Sequence, residues 1–287
     1  MADVSIYWFR DDLRLSDLPG LQAAADRGAV IPVYIFDEKL GEDWRLGSAS
    51  RWWLHHSLVA LQKDLKALGS ELFLRSGDTA STLSTIIAET GATAVYCSRH
   101  YQPWAEELER SVKAAARGAG ADLKRYPGTL LHEPEEVATG NGTPFKVFTP
   151  FWRACNRRPD PSSPLPPASL AAVEKFLASE ELDDWRLAPT APNWTFGWND
   201  LWSPGEAGAR RALTSFLSHH VQDYGEGRDI PSEPNTSKLS PYLRFGNISP
   251  RQVWHAAQCA KQERPEAAGS INKFLSELGW REFCYHL

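Results

Sequence analysis

A doubly wound α/β domain followed by an all-α domain is the fold class that the sequence predicts, and three observations predict it. Short apolar runs alternate with amphipathic helical patterns through the first 130 residues, a proline-dense stretch interrupts the chain near residue 160, and only helical patterns follow residue 204. The expected layout is therefore an α/β domain over 1–130, a connector over 131–203 and a helical domain over 204–287.

Five strands are expected, at 4–9, 30–36, 71–74, 94–97 and 122–125, mostly short apolar runs suited to a parallel sheet buried on both faces. The clearest helix covers 48–68, where Leu54, Leu58, Leu61, Leu65 and Leu68 recur at steps of four and three before Gly69 stops the pattern. Similar patterns cover 78–89 and 103–117. Open sheets of this kind bind ligands beyond the carboxyl ends of their strands, which directs attention to Arg10 through Arg14 and to Asp37 through Lys39. The first strand-to-helix turn holds no glycine, so a dinucleotide site of the Gly-x-Gly-x-x-Gly type is excluded there.

Arg157-Arg158-Pro159-Asp160-Pro161-Ser162-Ser163-Pro164-Leu165-Pro166-Pro167 can continue neither a helix nor a central strand, so it marks the connection between the two parts. Beyond it, helices are expected at 206–221, 241–244, 250–262 and from 268 onward. Ser240-Pro241 and Ser249-Pro250 both read as an N-cap followed by proline at the first helical position.

Composition narrows the function. No apolar run could span a bilayer, and the start Met1-Ala2-Asp3 has no basic region, so the cytoplasm is the expected location. The cysteines Cys97, Cys155, Cys259 and Cys284 are too widely spaced for a zinc site and read as reduced, buried thiols. A net charge of −5 argues against a generic basic nucleic-acid binder. Residues 204–287, however, hold 10 Lys+Arg against 9 Asp+Glu while the rest holds 21 against 27, so any phosphate-facing surface belongs to the helical part. The twelve tryptophans, Trp52, Trp53, Trp152, Trp194, Trp198 and Trp202 among them, are expected mainly in packing. The pairs His55-His56 and His219-His220 diverge on a helix, so they do not suggest a metal site.

Two runs carry the chemistry. Thr236-Ser237-Lys238-Leu239-Ser240 clusters hydroxyls before a helix start, where main-chain N–H and side-chain O–H groups can converge on an anion such as a phosphate. In the last helix, Phe274, Glu277, Trp280 and Arg281 recur at steps of three and four and are expected to present a carboxylate, an indole and a guanidinium to one cavity. The competing reading is an i,i+4 Glu277–Arg281 pair with a core indole, but a pair worth about 0.2–0.5 kcal/mol gives little reason to bury it.

With Tyr224, Arg228 and Pro231, these runs resemble the flavin-binding half of the DNA photolyase and cryptochrome family. The opening Trp8-Phe9-Arg10-Asp11-Asp12-Leu13-Arg14-Leu15 and the segment Lys146-Val147-Phe148-Thr149-Pro150-Phe151 resemble that family too. The resemblance implies FAD held by Tyr224, Thr236, Ser237, Lys238, Leu239, Ser240, Phe274 and Arg281. It implies catalytic Glu277 and Trp280 facing a flipped-out cyclobutane pyrimidine dimer, Arg228 on the DNA backbone, and no metal. It also implies an antenna, a folate or a deazaflavin, near Arg99-His100-Tyr101-Gln102-Pro103-Trp104-Ala105. Family members continue beyond the point corresponding to Leu287, so the helical FAD domain is expected to be incomplete, with weak FAD binding and poor repair. A monomer is expected for the complete protein, and association for a chain whose last helix lacks its opposing layer. A cryptochrome-like photosensor and an inactive fragment are the competing functions.

Overall fold

The computed structural model describes residues 3–40, 45–171 and 177–287. The N-terminal part runs β1 (Asp3–Phe9), α1 (Pro19–Arg27), β2 (Gly28–Phe36), α2 (Ser48–Ala67), β3 (Phe73–Ser76), α3 (Thr79–Thr90), β4 (Ala94–Ser98), α4 (Pro103–Gly118) and β5 (Asp122–Tyr126). The strands form one parallel sheet in the order β3-β2-β1-β4-β5. β1 lies at its centre, and alternation sends Tyr7 and Phe9 into one buried cluster and Ile6 and Trp8 into the other. The expected α/β architecture is therefore present. β3 sits two residues later than expected, because its register with β2 pairs Val33 with Phe73 and Phe36 with Ser76. α1, unmarked by strong periodicity, starts at Leu18-Pro19 with proline in its first turn.

Next come α5 (Phe148–Cys155), α6 (Trp198–Leu201), α7 (Glu206–His219), α8 (Tyr224–Gly227), α9 (Ser240–Arg244), α10 (Pro250–Glu263) and α11 (Ala268–His286). Between α5 and α6 the proline-rich stretch forms neither helix nor strand. Its continuation seals the edge of the sheet: Glu180 N–H donates to the Leu74 carbonyl (2.9 Å), Leu74 N–H donates to Ser179 Oγ (3.0 Å), and Trp185 stacks on Phe36.

The largest buried cluster joins Tyr7, Phe9, Trp52 and Trp53 to Phe216, Tyr224, Tyr242 and Phe274, so the two parts share a core. Buried polar groups fix this junction. Arg14, fully enclosed, donates to the carbonyls of Ser16, Asp17, Gly128 and Gly246, and Asn247 bridges the Leu13 carbonyl and the Trp53 indole. Gly246, at φ 64°, has room for nothing larger: a Cβ there would lie 2.2 Å from the Asp11 carbonyl oxygen.

Two expectations are corrected. Cys97 and Cys155 are buried, but Cys259 and Cys284 are exposed, since each falls on the outward side of its helix. Ser249 caps α10 with a full capping box, whereas Ser240 already lies inside α9. Lys238 in the left-handed region and Leu239 in the helical region bring the chain into α9 one residue early, so no extended N-cap forms. Among the described residues, no helix is long and apolar enough to cross a membrane.

Candidate functional site

The helical part encloses a cleft of about 560 Å³. One wall is the turn Thr236-Ser237-Lys238-Leu239-Ser240, where Ser237 Oγ accepts from Leu239 N–H (3.4 Å) and the left-handed Lys238 bends the chain. With only five residues and no side-chain cap, α9 supplies little dipole, so attraction for an anion falls to the hydroxyls and to Lys238, Arg244 and Arg281. The opposite wall is α11, which contributes Phe274, Glu277, Leu278, Arg281 and Tyr285. Tyr224 also lines the cleft, edge-on to Phe216 and Phe274. Leu243, Arg244, Val253, Leu278 and Tyr285 escaped the sequence reading. Helical spacing could have found two of them, because Arg244 lies four residues after Ser240 and Tyr285 four after Arg281.

Trp280 does not line this cleft. One step along a helix turns the side chain about 100°, so Trp280 points away from Arg281 and stacks on Phe148 at 3.9 Å, the residue as a whole remaining 44% exposed. The missing Cβ at Gly279 admits the Trp152 ring and so brings α5 against this side of α11, since a Cβ would lie 2.5 Å from that ring. The Glu277–Arg281 pair of the competing reading is also absent. Glu277 instead pairs with Arg228, whose guanidinium lies over the Tyr224 ring at 5.6 Å, and with Lys273 at 3.8 Å. The acid and the cation expected to meet DNA therefore meet each other at the rim.

Arg281 donates through Nη1 to the Thr129 carbonyl (2.9 Å) and to Glu282 Oε1 (3.0 Å). Glu282 is buried between α11 and the segment after β5, and it also accepts from Leu131 N–H (2.6 Å) and His132 N–H (3.4 Å). Burial pushes its carboxyl up to about 7, against the pull of Arg281 and the two amides.

A second hollow lies beyond the carboxyl ends of the strands, around the switch point between β1 and β4. Its outer part, about 880 Å³, has the aromatic walls Phe36, Trp104 and Trp185 under a rim of Asp37, Glu38, Asp78, Glu107 and Asp184. The inner part is narrow and lined by Arg10, Asp11, Tyr34, His100, Trp104 and Arg244. Arg10 Nη2 donates to Glu109 (2.8 Å), but its Nε and Nη1, both His100 nitrogens and the Trp104 indole N–H are buried with no hydrogen-bond partner among the described residues. Burial, with Arg10 and Arg244 nearby, holds His100 well below the usual imidazole range, hence neutral at pH 7. Of the residues 10–14 singled out from sequence, Arg10 and Asp11 reach the hollow, while Asp12 accepts from Tyr7 and Ser98 and Arg14 staples loops. Arg244 lines both cavities and pairs with Asp11 at 2.5 Å. Among the described residues, no cluster of metal-ligating side chains occurs.

Residues 5–169 match the family model described as DNA photolyase. The chain belongs to the DNA photolyase family. It is 45% identical over 284 residues to the deoxyribodipyrimidine photo-lyase of Agrobacterium fabrum, covering 98% of this chain and 58% of that protein. It is 36% identical to cryptochrome-2 of Arabidopsis thaliana, covering all of this chain and 49% of that protein. Among solved structures, a bacterial class III photolyase from Agrobacterium tumefaciens superposes with a TM-score of 0.94 at 44% identity, covering all of this chain and 59% of that one. The chain thus spans between about half and three fifths of the length of these photolyase-family relatives.

The helical cleft suits a flavin dinucleotide. Its volume falls in the range of cofactor sites, roughly 300–1,000 Å³. Hydroxyls and cations line one region for a diphosphate, while Tyr224, Phe274, Leu243, Val253 and Leu278 offer apolar area to rings.

Proposed function

We propose that this protein is a light-driven DNA-repair lyase that acts on cyclobutane pyrimidine dimers with FAD in the helical cleft. The single observation that carries this reading is the shared cleft: the Thr236–Ser240 turn and Phe274, Glu277 and Arg281 of α11 face one cavity. When bound, reduced FAD supplies the excited-state electron that opens the dimer and takes it back. The chain's own work is positioning. Thr236, Ser237, Lys238 and Ser240 hold the diphosphate and sugar, Leu239 secures the turn from the core, and Tyr224 and Phe274 support the rings. Arg281 contributes a fixed charge.

The lesion is received at the rim. Glu277 hydrogen-bonds the polar edge of the extruded pyrimidines once Arg228 turns to the DNA backbone. Trp280, already stacked on Phe148, offers its exposed face to a base, an interaction worth about 1–3 kcal/mol. In this reading the helical part works as an FAD domain and 1–130 as an antenna domain, joined by the connector. A folate or deazaflavin occupies the strand-end hollow, where the partnerless donors of Arg10, His100 and Trp104 await acceptors and Trp104 and Trp185 flank a flat ring. In this reading the protein works in the cytoplasm, with UV-damaged DNA as its partner.

The match to cryptochrome-2 over the whole chain favours a second reading, a blue-light sensor. Reconstitution with FAD followed by a blue-light assay on a dimer-containing oligonucleotide separates the two. Light-dependent loss of dimers supports repair, stoichiometric flavin with intact dimers supports the sensor, and a chain that takes up no flavin defeats both.

A further inference from the structure

We infer that Glu282 is a positioning residue: it holds one edge of the Arg281 guanidinium so that the other edge faces the diphosphate of the cofactor, an inference that rests on the flavin reading of the cleft. Adjacent helical residues point about 100° apart. Arg281 faces the cleft, while Glu282 is directed into the protein with its side chain only 3% exposed. The guanidinium nonetheless reaches back. Nη1 donates to Glu282 Oε1 at 3.0 Å and to the Thr129 carbonyl at 2.9 Å, which uses both of its hydrogens. Nε and Nη2 make no hydrogen bond among the described residues, and Tyr285, 5.0 Å from the guanidinium carbon, supports the plane from one side.

A planar fork with one edge anchored and one edge open matches the geometry of a phosphate group, and its ordering entropy is spent before the ligand arrives. Glu282 itself is anchored, because its other oxygen takes the N–H groups of Leu131 and His132. Thus the segment following β5 sets the position of a cleft cation without touching the cleft.

The alternative is that Glu282 merely ties α11 to the 129–132 segment. Glu282→Gln separates the two. The amide oxygen can still accept from the main chain, but its NH₂ presents a donor to Arg281 where an acceptor stood. Titration of the 287-residue chain with FAD and, separately, with riboflavin, which lacks the diphosphate and the adenosine, is the test, the Arg281 variants assigning any difference to the diphosphate. In Glu282→Gln, FAD affinity is expected to fall about tenfold while riboflavin affinity stays within twofold. In an Arg281→Ala background the same substitution is expected to cost nothing further. Arg281→Lys, which leaves Glu282 in place, is expected to lose FAD selectivity as well, because a point charge cannot replace the fork. Equal losses for both flavins, unchanged FAD affinity in Glu282→Gln, a full effect without Arg281, or undiminished selectivity in Arg281→Lys would each overturn the inference. A wild-type chain that binds riboflavin but gains nothing from the diphosphate would overturn the inference while sparing a flavin site, and one that binds neither flavin would overturn both.

Discussion

Across the helical cleft, Lys238, Arg244 and Arg281 face a single carboxylate, Glu277, whereas around the outer hollow of the sheet Asp37, Glu38, Asp78, Glu107 and Asp184 face a single lysine, Lys39. The two cavities have comparable size and both have aromatic walls, so shape alone does not assign their ligands. Charge does. The cations of the cleft attract an anion such as a diphosphate, whereas the acidic rim repels anionic tails and the inner N–H groups can donate to a ring edge bearing oxygens or nitrogens. Arg244, paired with Asp11 and exposed to both cavities, marks where the two environments meet.

The strongest way to break this contrast is to wedge the junction. Gly246→Val places a β-branched side chain at a positive φ and against the Asp11 carbonyl, so it is expected to lower the unfolding free energy by about 3–5 kcal/mol and to weaken ligands in both cavities. Urea denaturation measures the first effect and flavin titration the second. A variant of wild-type stability would show that the junction does not couple the two sites.

Next in size is a pH effect confined to the cleft side. Burial raises the Glu282 carboxyl from its ordinary 4.5 to about 7, so the folded chain holds that proton more tightly than the unfolded chain. The Glu282 contribution to stability therefore falls as pH rises from about 4.5 to about 7 and levels off above, whereas the buried histidines, held low, contribute with the opposite sign and are common to wild type and variant. Tyr101, Cys155 and Arg281 face the same carboxyl and respond to its charge. Glu282→Gln removes the penalty and is expected to be more stable than wild type by about 1–3 kcal/mol at pH 8, the gain vanishing near pH 4.5. Parallel stability curves would contradict this. A residue that stabilises the fold less than its amide, yet improves FAD binding, is what a positioning role requires.

A smaller effect sharpens the charge comparison. A pterin bearing a polyglutamate tail is expected to bind the hollow several-fold more weakly than the same pterin without it, and added salt is expected to narrow the gap. Equal affinities would show that the acidic rim does not select. Smallest for the flavin is Trp280→Ala: FAD affinity should stay within twofold, because the indole lies outside the cleft lining, while affinity for dimer-containing DNA drops by about 1–3 kcal/mol. A large loss of FAD binding would place the indole in the cofactor pocket after all.

Much of this molecule is legible in its sequence. The sheet is, because buried parallel strands leave runs such as Ile6 through Phe9 that few other structures explain. The cleft turn at Thr236–Ser240 is also legible, since hydroxyls and a cation are local in sequence. What escaped depended on contacts far apart in the chain. The position of Trp280 outside the cleft depends on Trp152 filling the space at Gly279, and Arg281 bonds residue 129 rather than Glu277. The partnerless donors of the hollow could not be counted without knowing that Arg10, His100 and Trp104 converge.

The central claim is that one cleft, built by the Thr236–Ser240 turn and α11, holds the diphosphate of FAD. Calorimetric titration of FAD into the wild-type chain and into Lys238→Ala/Arg281→Ala tests it directly. The account predicts one FAD per chain for wild type and an affinity at least tenfold lower for the double variant, with the fold intact by circular dichroism. Equal FAD affinity in the two proteins would contradict it.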